Sequence, residues 1–222
     1  MALLADEVRR MYREADDVLE KQIVRDQHVS CRKGCAHCCQ LLALTTLPEA
    51  YLLAQWVARS PDSEVWVSRL LAVAREVATC TDRGDWFDRR IPCLFLAADN
   101  TCRVYDDRPG CCRWLAVRTP PELCAPEARR ETVERYDTRG LERYAIECAI
   151  RFHDERPEAG AVGVGLIPLA VLWALHIGLR GKARRRLEKK MFGLPTLAEW
   201  TARYRDEPVN RTPAFRVLND GA

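Results

Sequence analysis

"SCRKGCAHCCQ", Ser30–Gln40, places four cysteines in nine positions: Cys31, Cys35, Cys38 and Cys39. A second run, "PCLFLAADNTCRVYDDRPGCCRW", Pro92–Trp114, adds Cys93, Cys102, Cys111 and Cys112. How these thiols are read decides what holds the middle of the chain together. The chain has 222 residues and 11 cysteines, an odd number, so disulfide pairing would strand at least one. The N-terminal stretch is charged from Asp6 onward and has no apolar h-region, so it does not read as a secretory signal. The expected compartment is therefore the reducing cytoplasm, where clustered cysteines hold metal or do chemistry rather than form disulfides.

Thiolates suit zinc, cuprous copper and iron–sulfur clusters. The x3 and x2 spacings of Cys31, Cys35 and Cys38 let a turn aim successive sulfurs at one point, with Gly34 supplying backbone freedom. Cys39 is harder to place, because adjacent side chains diverge. It serves a second metal or cluster, or it packs as a small apolar residue. A structural zinc takes four ligands and a cubane cluster usually four cysteines, so eight thiols fit two centres, or one with thiols to spare. Cys80, Cys124 and Cys148 each stand alone in helix-like surroundings and read as buried free thiols. His37 lies within the first cluster, but its close thiol neighbours favour a supporting or solvent-facing role. Arg108 and Arg113 border Cys112, where guanidinium groups would offset thiolate charge and tune a bound cofactor. Their bland alternative is an ion pair with Asp106 or Asp107. Tyr105 reads as a packing residue.

The order of these motifs resembles the YkgJ-like, or CxxCxxCC, cysteine-cluster family, whose domain is described as zinc- or iron-chelating. Its pattern falls on Cys31, Cys35, Cys38 and Cys39, then Pro92, Cys93, Phe95 and Leu96. It ends with Cys102, Val104, Tyr105, Arg108, Pro109, Cys112 and Arg113. Cys111 lies outside it, and the last hundred or so residues are not covered. The resemblance implies that Cys31, Cys35, Cys38, Cys39, Cys93, Cys102 and Cys112 ligate a metal. Some relatives look like flagellin lysine-N-methylases, which suggests methyl transfer as one chemistry. Whether this chain is an enzyme stays open.

Other readings of the same residues are weaker. Cys-x3-Cys-x2-Cys is also the spacing of radical S-adenosylmethionine enzymes, but their strand–helix alternation is missing downstream. No base-reading helix follows a Cys2His2 pattern, so a DNA-reading finger is disfavoured. No Gly-rich cofactor loop is evident. A net charge of +3 gives no argument for nucleic acid.

Around the cysteines the chain reads as helix. In residues 3–24 apolar side chains recur at three- and four-residue intervals. Thr46 with Glu49, and Thr196 with Glu199, form the capping-box pattern, and Pro48 sits in a first turn. Helices are expected from Thr46 to about Arg59, over "SPDSEVWVSRLLAVAREVATC", restarting with Ser60, Pro61 and Asp62, and as one or two segments in 122–152, broken near Gly140. Residues 83–114 should be loop-rich, with a hairpin across "CLFLAADNTCRVY". The run "AGAVGVGLIPLAVLWALHIGL", residues 159–179, has no charged residue over 21 positions, and seven basic residues follow in 180–190. It is either a membrane span or a loop to Pro168 followed by a buried helix. The glycines, Pro168 and His176 favour the buried helix.

The expected protein is thus soluble, cytoplasmic and mainly α. A loop-rich, cysteine-held metal-binding lobe sits in a helical domain over 1–155. An apolar helix and basic extension over 156–222 pack on it. The expected cofactor is an iron–sulfur cluster, slightly ahead of zinc. The expected partner is a protein or peptide, and membrane contact through 159–190 stays open.

Overall fold

A computed structural model describes residues 2–26, 29–32, 34–40, 43–80, 85, 89–125, 133–136, 138–155, 164–200 and 215–218. The chain is mainly helical, with its cysteines clustered in loops. Helix α1 (Ala2–Asp26) buries Ala5, Val8, Met11, Tyr12, Ala15 and Leu19 along one face; of the apolar stripe expected from spacing, Val8, Met11 and Ala15 lie on it, whereas Val18 is 47% exposed. Strand β1 (Leu44–Thr46) runs directly into α2 (Leu47–Arg59), and α3 (Ser63–Ala78) follows.

The apolar run near the C-terminus divides between two elements. Strand β3 (Val164–Leu166) leads straight into a helix, Ile167–Gly178. No described helix is long and apolar enough to cross a membrane. β1 and β3 pair antiparallel with Thr45 opposite Gly165. Each strand is followed at once by a helix with proline at its second residue, Pro48 or Pro168, where the missing N–H costs nothing. The Ile167–Gly178 helix packs against α2 and α3. Ala170, Val171 and Leu172 are fully buried, which explains why this stretch is apolar on nearly every side.

Residues 122–152 correct the helical expectation. Pro121–Cys124 is a 3-10 turn, and Val133–Tyr136 is a strand, β2, paired parallel with β4 (Phe215–Leu218). Helix begins only at Arg139 and runs to Glu155, with Gly140 in its first turn rather than at a break. With a short helix at Gly110–Arg113 as α4, the remaining helices are α5 (Arg139–Glu155), α6 (Ile167–Gly178) and α7 (Gly181–Lys190). In α7 only Leu187 is buried, so the basic run forms an exposed helix surface. The Thr196–Glu199 capping box is present in both directions, Thr196 N–H to Glu199 at 2.7 Å and Glu199 N–H to Thr196 Oγ1 at 3.1 Å. The rest of the expected 196–205 helix, beyond Trp200, lies outside the described residues.

Candidate metal centre

The first cysteine stretch is a chain of tight turns. Gly34 takes φ +83°, a conformation that favours glycine, and the Cys35 N–H bonds back to the Arg32 carbonyl at 3.0 Å. His37–Gln40 is a 3-10 turn in which the Cys39 N–H reaches Ala36 at 2.9 Å. His37, Cys38 and Cys39 are all half-buried there.

Aromatic packing anchors the second stretch. Phe95, 1% exposed, packs against both Trp56 of α2 (5.7 Å, edge-on) and Trp66 of α3 (5.8 Å, stacked), which also touch each other. The expected hairpin forms around it: Leu96 and Cys102 make an antiparallel bridge, and the Ala97 N–H bonds to Thr101 at 2.8 Å. Asn100 turns the tip at φ +62°, a region that asparagine tolerates. Cys93 and Cys102 are therefore held at the base of a hairpin pinned to two helices.

Cys111 and Cys112 sit on α4, whose placement depends on a buried carboxylate. Glu49, 3% exposed, accepts from the Gly110 N–H at 2.7 Å and from Tyr12 Oη at 3.3 Å. It also accepts from the Thr46 N–H at 2.8 Å and Thr46 Oγ1 at 2.9 Å. The capping residue of α2 is thus the joint that fixes α4 against α1 and β1. Gly110 is required at that joint, because a Cβ there would run into the Trp114 ring.

The two stretches meet. The Cys93 N–H donates to the Cys39 carbonyl at 2.7 Å. Burial pushes the Cys93 thiol up to about 12, and the nearby Cys112, Cys102 and Cys38 push the same way. Cys38 is raised far more, first by its hydrogen bond with Cys39 and then by burial. Cys112 is also raised, first by its bond with Cys111, whose sulfur lies 3.7 Å away, and then by burial. Cys102 is raised chiefly by burial, with Cys112 and Cys38 adding to it. Cys31 is raised by burial and by Cys38 and Cys35. Its sulfur points to the Leu115 carbonyl at 3.7 Å. Cys38 therefore acts on thiols of both stretches, on Cys31 in the first and on Cys93, Cys102 and Cys112 in the second. All eleven cysteines are free thiols.

The two arginines part company. Arg108 lies over the Tyr105 ring at 4.1 Å, and its positive charge opposes the rise at Cys31, Cys38, Cys102 and Cys112. Its Nε is buried without a hydrogen-bond partner among the described residues. Arg113 instead turns to α1, gripping Asp16 at 2.6 and 2.9 Å and lying over Tyr12 at 4.9 Å. The ion pair expected with Asp107 forms from Arg9, at 2.9 Å.

Cys124 departs from its bland reading. Its 3-10 turn, Pro121–Cys124, packs on the His37–Gln40 turn. Its thiol is raised to about 11 by burial and by Cys31, Cys35 and Cys38. Nothing local in the sequence signals this, since the link is the long-range bonding of Ser30 to Val117 and Arg118. Cys80 keeps its expected role, buried at 2% and bonded to Glu76 of its own helix. Cys148 is half-buried on α5 beside Arg151 and far in sequence from the others.

Among the described residues no three His, Cys, Asp or Glu side chains already stand in metal-coordinating geometry. The donor set nevertheless fits a soft or borderline cation. Thiols of both stretches come together, and thiolates there would repel; the Arg108 guanidinium, bonded through one amino group to the Arg113 carbonyl at 3.4 Å, supplies positive charge beside them.

Neither a curated protein nor a solved structure matched the chain. A family model did match, over residues 30–133: CxxCxxCC, "Putative zinc- or iron-chelating domain". The match begins one residue before Cys31 and ends at the first residue of β2, taking in both cysteine stretches and Cys124. Over residues 30–133 the chain is thus similar to the CxxCxxCC family.

Proposed function

We propose that the chain binds metal through Cys31, Cys35, Cys38, Cys39, Cys93, Cys102 and Cys112, with Arg108 as the nearby positive charge and Arg113 as the residue that ties α4 to α1. The observation that carries this is the Cys93 to Cys39 backbone bond at 2.7 Å, around which Cys38, Cys102 and Cys112 gather. Raised thiols hold their protons at neutral pH, so binding must release protons, and affinity rises with pH. Binding also has to draw the sulfurs inward from their present positions.

An iron–sulfur cluster is the preferred occupant. Seven thiols exceed what one structural zinc needs, and a guanidinium beside them suits an anionic cluster. Such a group would supply electron transfer, or support modification of a protein or peptide. The second reading is a structural zinc in an adaptor or assembly protein, where the metal only holds the fold. Anaerobic purification followed by iron, sulfide and zinc analysis, with absorption and spin-resonance spectra, tests both. Iron and sulfide in equal amounts with a brown colour support the cluster. A colourless protein with one or two zinc ions supports the adaptor. Protein that takes up neither metal overturns the proposal.

A further inference from the structure

We infer that Cys124 is a metal ligand that closes a four-thiol set with Cys31, Cys35 and Cys38, distinct from a second set built on Cys93, Cys102 and Cys112. The inference rests on the metal-binding reading above and adds to it a residue that lies outside both cysteine-rich stretches.

Three segments that are remote in sequence build the first set. Ser30 bonds to Val117 through its N–H at 2.9 Å and to Arg118 through its hydroxyl at 2.8 Å. The Tyr136 N–H then bonds to Ala116 at 3.0 Å, and the Arg118 N–H to Glu134 at 3.0 Å. Residues 116–118 are thus clamped between the start of the first cysteine stretch and β2. Two and three residues beyond the clamp, Pro120 and Pro121 leave few backbone options, and the chain folds into the 3-10 turn that ends at Cys124. That turn lands on the 3-10 turn carrying Cys38 and Cys39. Burial first, and then the charges of Cys31, Cys35, Cys38 and Glu122, act on the Cys124 sulfur. The charges acting on Cys93 come instead from Cys112, Cys102 and Cys38. On this reading the thiols sort into two groups that meet at Cys38.

The sorting resolves the difficulty posed by adjacent Cys38 and Cys39. The Cys38 and Cys39 thiols hydrogen-bond to each other, so the pair stands where the two sets adjoin. With Cys124 supplying a fourth sulfur to the first group, Cys39 is left for the second, where its carbonyl already accepts from the Cys93 N–H. Each group then reaches the four thiolates that a tetrahedral site or a cubane takes.

Alkylation rates mapped cysteine by cysteine in the full chain test this. The protein is stripped with chelator, then restored either with zinc(II) or with ferrous iron plus sulfide. At free metal about 100 times Kd, roughly 1% of sites are open, so ligating thiols should slow by up to about 100-fold. Cys124 is expected to slow together with Cys31 and Cys35, while Cys148 stays unchanged. If Cys31 and Cys35 slow but Cys124 does not, the inference is overturned and the metal-binding reading survives. If none of the cysteines slows with either metal, both fall. Substitution separates ligation from packing. Zinc affinity should follow wild type, then Cys124→His, then Cys124→Val, because histidine keeps a ligand atom. A merely packed thiol predicts the opposite order for the two variants, and that order overturns the inference.

Discussion

Replacing Glu49 with alanine should destabilise the protein severely and loosen α4 in particular. Glu49 is 3% exposed and accepts at least four hydrogen bonds shorter than 3.4 Å, two of them from backbone N–H groups, Thr46 at 2.8 Å and Gly110 at 2.7 Å. The hydroxyls of Thr46 and Tyr12 can rotate to other partners, but the two amides cannot. Leaving a buried donor unmet costs about 1–3 kcal/mol, so the two amides together cost about 2–6 kcal/mol. For a chain of this size that corresponds to a Tm lower by roughly 4–24 °C, at about 2–4 °C per kcal/mol. Glu49→Gln is not a rescue, because the amide turns its NH2 toward either Thr46 or Gly110. Urea unfolding of the metal-free protein measures the loss. Alkylation of Cys111 and Cys112 in native conditions reports α4 directly and should quicken in Glu49→Ala more than alkylation of Cys80. A stability loss under 1 kcal/mol, or equal acceleration at Cys80, would refute the view that this carboxylate is the joint between α1, α2 and α4.

Gly110→Ala should cost about 1–3 kcal/mol as overpacking against Trp114, with a shift in tryptophan emission, whereas Gly34→Ala meets no neighbour and should cost about 1–2 kcal/mol from its φ of +83° alone. Arg108→Met should weaken metal binding by about tenfold, measured by competition with a chromophoric chelator, while Arg113→Met should leave affinity nearly unchanged and lower stability instead. His176, 7% exposed, has its pKa lowered by burial and then by Arg184, so the unfolded chain protonates first as pH falls. Stability present above about 6.5 should be lost as pH drops below it, and melts from pH 7.5 to 5 should show a shallower decline in His176→Gln.

What local pattern encodes was recoverable from sequence. The Thr46–Glu49 cap and Pro48 marked the start of α2, and Val8, Met11 and Ala15 of the α1 stripe are buried, though Val18 faces out. The hairpin around Asn100 follows from its turn residues. Contacts between distant segments were not recoverable. "VERY", Val133–Tyr136, becomes a strand because 116–118 and 215–218 flank it, and nothing within four residues says so. Cys124 looked solitary because the clamp that delivers it to Cys31 and Cys35 spans nearly ninety positions. Glu49 was visible as a helix cap, but its second role depends on Gly110, 61 residues away.

The β1–β3 ladder has a practical consequence for anyone trimming this protein. The family match stops at residue 133, yet β1, inside it, pairs with β3 at Val164–Leu166, and α2 leans on the helix that follows. A fragment cut to the matched borders would expose the apolar flank of α2 and orphan the backbone groups of Leu44–Thr46. Expression trials of the isolated cysteine region should therefore give aggregates, and a soluble product needs the chain to extend at least through Gly178.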